Sequence, residues 1–214
     1  MAGMSAQSPP RWRRLEPDER REQILERAID LFAERPYAEV STSDVARAAG
    51  VARGLINHYF ESKRGLYLAA VRRIVTVPTF DPATLPDGPL RARVETLVDW
   101  LLTTVSKHAK GWIAVLGTEG IGSDPEVERI LAEADRRAAE NLIKSVGMHD
   151  VRPHGQQLRA LVRAYGGMVK AAVREWMIHD TLTRDQVLLL LTEQLTTLLE
   201  ETFPRLQELD PAAQ

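Results

Sequence analysis

What most constrains this chain is that its apolar residues recur three and four positions apart, stretch after stretch, with proline and glycine as the punctuation. Pro17, with Asp18, Glu19 and Glu22 near it, opens a helix predicted over 17–34, with Ile24, Ala28, Leu31 and Phe32 on one face. Pro36 stops it. The oxygen side chains of Ser41, Thr42, Ser43 and Asp44 suit the amides of a second, short helix that ends at Gly50. A third is expected from Arg53 to Tyr59 and a fourth from Ser62 to Val75. Residues 76–89 hold Pro78, Pro82, Pro86, Gly88 and Pro89, a linker by composition. Beyond it a fifth helix is expected over 90–108, then a short apolar segment at 111–121. A helix capped by Asp124-Pro125 runs to about Ser145, and after the break at 147–155 two long helices cover 156–178 and 184–203. Thr183 and Gln186 stand at capping-box spacing, and Phe203-Pro204 is expected to close the last helix. With no convincing pair of alternating strands and no internal repeat, the expected fold is all-α, about nine helices.

Composition removes several functions. The 214 residues contain no cysteine, so no disulfide, thiolate nucleophile or Cys-ligated zinc can occur. No apolar run reaches the roughly 18–20 residues of a membrane span, and Met1–Pro10 lacks a signal-peptide core; a cytoplasmic protein with no membrane partner is expected. No nucleophile–base pairing, phosphate loop or carboxylate–metal spacing stands out, so neither an enzyme, a cofactor nor a metal is expected. The net charge is −2, but residues 1–77 carry 13 basic against 10 acidic side chains and residues 78–214 carry 15 against 20. A slightly positive head on an acidic body suits a nucleic-acid-reading module joined to something else.

The head contains the informative stretch, Ser41 to Lys63, STSDVARAAGVARGLINHYFESK. Two short helices flank Gly50-Val51-Ala52. Ala46 and Ala49 permit a close crossing, and Gly50 can take the positive φ of a sharp turn. Val51, Leu55 and Ile56 can anchor the second helix from below. Arg53, Gly54, Asn57, His58 and Tyr59 then face outward, as a helix reading the major groove requires. A surface helix hairpin that binds nothing has the same spacing.

From Arg21 to Val71 the residues resemble the DNA-binding domain of the tetracycline-repressor (TetR) family. The likeness rests on ILERAIDLF, on Thr42 ahead of VARAAGV, on a Gly-containing helix closing on Tyr59-Phe60, and on Ser62-Lys63 with Leu66-Tyr67. It implies a ligand-responsive transcriptional regulator, most often a repressor, on a pseudo-palindromic double-stranded operator. Thr42 matches the family's phosphate-contacting hydroxyl, with Ser43 beside it. Arg53, Gly54 and Leu55 match the base-facing entry of the recognition helix, and Tyr59 and Lys63 match phosphate contacts; Phe60 is expected in the core. Asn57 replaces a usual tyrosine and can read adenine, and Ala52 replaces a common capping serine. His58 is a phosphate contact or a bystander. Arg11, Arg13 and Arg14 reach for DNA or simply lead into the first helix. The implied division is an arm over 1–14, a helix–turn–helix domain over 15–62 and a ligand-binding and dimerisation domain over 63–214.

The resemblance also implies a homodimer whose last two long helices pair across a two-fold axis. Leu188, Leu191, Leu195 and Leu198 form a stripe for that interface, with Gly166 and Gly167 allowing close approach; the same stripe could be intramolecular core. Candidates for lining a small-molecule pocket are Trp100, Thr104, His108, Trp112, Glu119, Tyr165, Met168 and Trp176, each of which core packing or helix-end chemistry also explains. A constitutive architectural DNA binder without a ligand is the other reading.

Overall fold

The computed structural model describes residues 16–76, 78–107, 124–148 and 155–209. Helices account for 81% of these residues, and no strand occurs among them. α1 (Pro17–Glu34) begins with a capping box in which the Glu16 amide donates to Glu19, and it stops ahead of Pro36. A 3-10 turn at Tyr37–Glu39 leads to α2 (Thr42–Ala48), α3 (Arg53–Phe60) and α4 (Lys63–Val75). The body comprises α5 (Leu90–Lys107), α6 (Pro125–Ser145), α7 (Gly155–Met177) and α8 (Arg184–Thr197). Asp124 caps α6 and Thr183 caps α8, as the two proline and capping-box signals require.

The expected stop at Phe203-Pro204 does not occur. α8 widens into a π turn over Leu198–Thr202 and continues helically through Phe203–Glu208. A proline inside a helix lacks one donor and clashes with the carbonyl four residues back; the widened turn, in which the Phe203 amide reaches Leu198, accommodates both effects. Phe203 is thereby kept in the core.

Two cores result. The first gathers Ile24, Val45, Ile56, Leu66 and Val71 from α1–α4, and Ile130 of α6 inserts into it. Leu66, Tyr67, Leu68 and Val71 place α4 in this first core, on the near side of the proline-rich stretch. The second core joins α5, α6, α7 and α8 around Val94, Leu102, Leu158, Leu191 and Leu195.

The leucine stripe is corrected here. Leu191 and Leu195 are 0% exposed within one subunit, and Leu188 and Leu198 pack half-buried on the same core. Spacing of three and four made this the inward face of α8, seated against α5 and α7. The apolar residues left outside are Leu189 (57% exposed) and Leu190 (37%), with Met168 (38%) on α7. Ala164, Gly167 and Ala171 are exposed small residues on that same helix.

Candidate nucleic-acid interface and ligand cavity

The sequence fixes the reading face locally. Ser41 caps α2: its hydroxyl accepts from the Asp44 amide at 3.1 Å, while the Asp44 carboxylate takes the Ser41 amide at 3.0 Å and hydroxyl at 2.6 Å. These hydrogen bonds hold the Asp44 carboxyl below the usual carboxylate range. Thr42 and Ser43 occupy the first two positions of α2, half-buried, at the positive end of that helix. Gly50 turns the chain with φ +65°. On α3, Ile56 and Phe60 are buried, Leu55 and Tyr59 pack half-buried on the first core, and Arg53, Gly54, Asn57 and His58 are exposed. The last four form the i and i+4 pairs of one helix face. A Cβ on Gly54 would meet nothing within 4 Å, so that face is open to close approach.

Gly65 has the opposite character. A Cβ there would lie 2.2 Å from the Phe60 carbonyl oxygen, so a residue without a side chain lets α4 start directly under the end of α3. Ser62 caps α4 by accepting from the Gly65 amide at 3.0 Å. Lys63 does not reach freely toward solvent: its ammonium lies 4.2 Å above the Tyr37 ring and donates to the Ala38 carbonyl at 3.4 Å. Tyr37 itself stacks with Phe32 and meets the Tyr67 ring at a tilt, which places Lys63 at a defined spot beside α3. Sequence reasoning missed this Tyr37 clamp, because residues 26 apart meet only through the fold.

α4 is fastened to α6. Arg64 donates to both carboxylate oxygens of Asp124, at 3.1 and 2.9 Å, and Arg72 donates to Glu126 at 2.8 Å. The Asp124 carboxylate raises the Arg64 pKa above its ordinary value and the Arg64 guanidinium holds Asp124 below its own; for Glu126 the larger lowering comes from Arg129. Arg73 of α4 pairs with Glu22 of α1 at 3.2 Å. Nothing in the local pattern marks these partners as pairs.

Between α5, α6 and α7, with Pro78 and Phe80 closing one side, lies a cavity of about 150 Å³. Its wall is apolar, including Phe80 in edge-to-face contact with Trp100, and its polar rim holds Asp135, Arg163 and Lys170. The Lys170 ammonium donates to both oxygens of Asp135 at 2.6 Å. Of the sequence candidates, Trp100 and Tyr165 line this cavity, and Gly166, expected at an interface, lines it too. The Tyr165 hydroxyl is already used, donating to the Leu191 carbonyl at 3.0 Å, and burial pushes its pKa up. Thr104, Met168 and Trp176 are not in its wall: Met168 is surface, and Trp176 packs on the second core. His108, Trp112 and Glu119 lie outside the described residues, as do Arg11, Arg13 and Arg14. Phe80, Asn141 and the Asp135–Lys170 pair were not foreseen, since their relevance depends on which faces of α5, α6 and α7 converge. Among the described residues no three His, Asp or Glu side chains gather as a metal site, and no helix is long and apolar enough to cross a membrane.

Comparison with known proteins agrees with this geometry. Residues 24–70 match the family model of "Bacterial regulatory proteins, tetR family", and residues 90–198 match "Tetracyclin repressor-like, C-terminal domain". The chain is 31% identical over 132 residues to the HTH-type transcriptional regulator BetI of Klebsiella pneumoniae (strain 342), covering 58% of this chain and 66% of that protein. Against the BetI of Escherichia coli O157:H7 it is 29% identical over 155 residues, 67% of this chain and 78% of the relative. A crystal structure of a tetR-family transcriptional regulator from Streptomyces coelicolor superposes with a TM-score of 0.69 at 25% identity, covering 90% of this chain and 88% of the other.

Proposed function

The chain belongs to the tetR family of bacterial regulatory proteins and is a DNA-binding transcriptional regulator rather than an enzyme, and from that premise we propose that it is a repressor released from its operator by a small molecule. The observation that carries this reading is the double attachment of α6. Its first turns hold the reading domain, through the Asp124 and Glu126 ion pairs and Ile130 in the first core. Its later turns, from Asp135 to Ser145, form one wall of the cavity. A molecule entering between α5, α6 and α7 displaces a helix that carries α4 with it, and α4 sets where α3 stands.

In this reading Thr42, Ser43, Tyr59 and Lys63 contact operator phosphates, with His58 beside them. Arg53, Gly54, Leu55 and Asn57 meet base edges. Two copies associate through the exposed faces of α7 and α8, Leu189, Leu190 and Met168 with Ala164, Gly167 and Ala171. That two-fold arrangement presents two copies of α3 to half-sites one helical turn apart. The ligand is largely apolar, with a polar end at the Asp135–Lys170 rim, and it must bind the DNA-incompetent state more tightly, or no equilibrium shifts.

The test is fluorescence anisotropy on DNA upstream of the protein's own gene against scrambled DNA, over a salt series. Specific binding that survives moderate salt, and falls with a compound that raises the melting temperature, supports the proposal. Equal, salt-sensitive binding to both DNAs, with fragments selected genome-wide also showing no preferred sequence, refutes it.

A further inference from the structure

A second concavity, of about 470 Å³, opens between α4 and the first five turns of α6, and its chemistry is unlike that of the apolar cavity. Arg72 comes from α4, Thr76 and Thr79 from its C-cap and the segment after it, and Arg129, Glu133 and Arg137 from α6. The last three are spaced i, i+4 and i+8, so they share one face of the helix.

Charge is unbalanced there. Glu126 accepts from both Arg72, at 2.8 Å, and Arg129, at 2.6 Å. Glu133 is shared between Arg137, at 2.7 Å, and Arg136. The three arginines of the lining, Arg72, Arg129 and Arg137, thus share two carboxylates, one of which also serves Arg136 outside it. A guanidinium offers five N–H donors; among the described residues Arg72 and Arg137 each direct one at these carboxylates, and Arg129 directs two at Glu126, through Nε at 3.1 Å and Nη2 at 2.6 Å. The arginine side chains are half-exposed or more, and ion pairs so exposed exchange partners readily. Operator DNA is an unsuitable occupant, because Arg72 stands nine residues along α4 from Lys63, about 14 Å farther from the reading face at 1.5 Å per residue.

We propose that this groove binds a small organic polyanion, one carrying phosphate groups or paired carboxylates, held between α4 and α6 by Arg72, Arg129 and Arg137. Paired oxygens match the guanidinium fork, and the Thr79 hydroxyl adds a donor, that of Thr76 being already given to the Arg72 carbonyl at 2.6 Å. The site acts on the joint between reading domain and body directly. Ala138 and Asn141 belong to the walls of both this groove and the apolar cavity, so only the thickness of α6 separates the two.

Isothermal titration calorimetry of the full-length protein with pyrophosphate and, separately, citrate, in metal-free buffer at fixed ionic strength, tests this. The two arms distinguish a phosphate-bearing from a carboxylate-bearing anion. Saturable binding of at least one probe is expected, weakened about tenfold or more by Arg129→Gln with Arg137→Gln, and unchanged by Arg163→Gln at the other cavity. The single variant Arg137→Lys, which keeps the charge and loses the fork, is expected to weaken binding as well. No saturable heat with either probe up to ~10 mM, or equal affinity in the α6 variants and the parent, overturns the proposal.

Discussion

Leu191→Ala and Leu189→Ala, one turn-fraction apart on α8, should damage different properties of this protein. Leu191 is 0% exposed inside the subunit, in the core between α5, α7 and α8. Truncation there leaves a cavity and costs about 2–5 kcal/mol. For a chain near 200 residues each kcal/mol lowers the melting temperature by roughly 2–4 °C, so a drop of about 4–20 °C is expected. Leu189 is 57% exposed, and in the proposed dimer that exposed share contributes only where a second copy covers it. Full burial of a leucine side chain contributes ~1.5–3 kcal/mol, so the exposed share corresponds to about 0.9–1.7 kcal/mol per subunit. A two-fold interface counts it twice. The dimer should therefore weaken by up to about 2–3 kcal/mol, or roughly 30–150-fold in dissociation constant, an upper range because alanine retains Cβ. Sedimentation velocity across a dilution series reads the second effect. Thermal unfolding at a concentration where both variants are dimeric reads the first. The reasoning fails if Leu191→Ala dissociates the dimer without lowering the melting temperature, or if Leu189→Ala lowers it as much as Leu191→Ala does.

Arg53→Ala should lose about 1–3 kcal/mol on the operator and little on random DNA; equal loss on both, by anisotropy, would make Arg53 a phosphate contact. Gly65→Ala forces a Cβ to within 2.2 Å of the Phe60 carbonyl and should destabilise the reading domain by about 1–3 kcal/mol in denaturant unfolding. Gly54→Ala, by contrast, meets open space and should stabilise α3 by up to ~1 kcal/mol while lowering operator affinity; unchanged affinity would take Gly54 off the DNA-facing surface. The Asp124 carboxyl is held below its ordinary pKa first by Arg64, so the tie between α4 and α6 is fully present above the unfolded carboxylate value of about 4 and is lost as pH falls through the folded one. An NMR titration of that carboxyl should move up toward the ordinary value in Arg64→Ala; an unmoved titration would assign the depression to the helix cap instead.

The helices, their starts at Pro17, Asp124 and Thr183, and the Gly50 turn were legible because periodicity, capping and positive φ are local. So was the exposure of Arg53, Gly54, Asn57 and His58 on α3, where Ile56 and Phe60 fix the rotation of an eight-residue helix, although Tyr59, expected outward with them, packs half-buried on the first core. The end of α8 was not, since a π turn that accommodates Pro204 depends on Phe203 finding a place in the core. Nor was the choice between two adjacent leucine faces on α8: both repeat at helical spacing, and only the positions of α5 and α7 bury Leu191 and Leu195 and leave Leu189 and Leu190 outside. The cavity and the arginine groove belong to the same class, because each forms where faces of separate helices converge. Sequence by itself determined most of the elements and the exposed face of α3, whose geometry is set within a few residues. Tertiary structure decided which faces are core, which are surface and how α6 joins the two domains, because burial is a property of neighbours that lie tens of residues away along the chain.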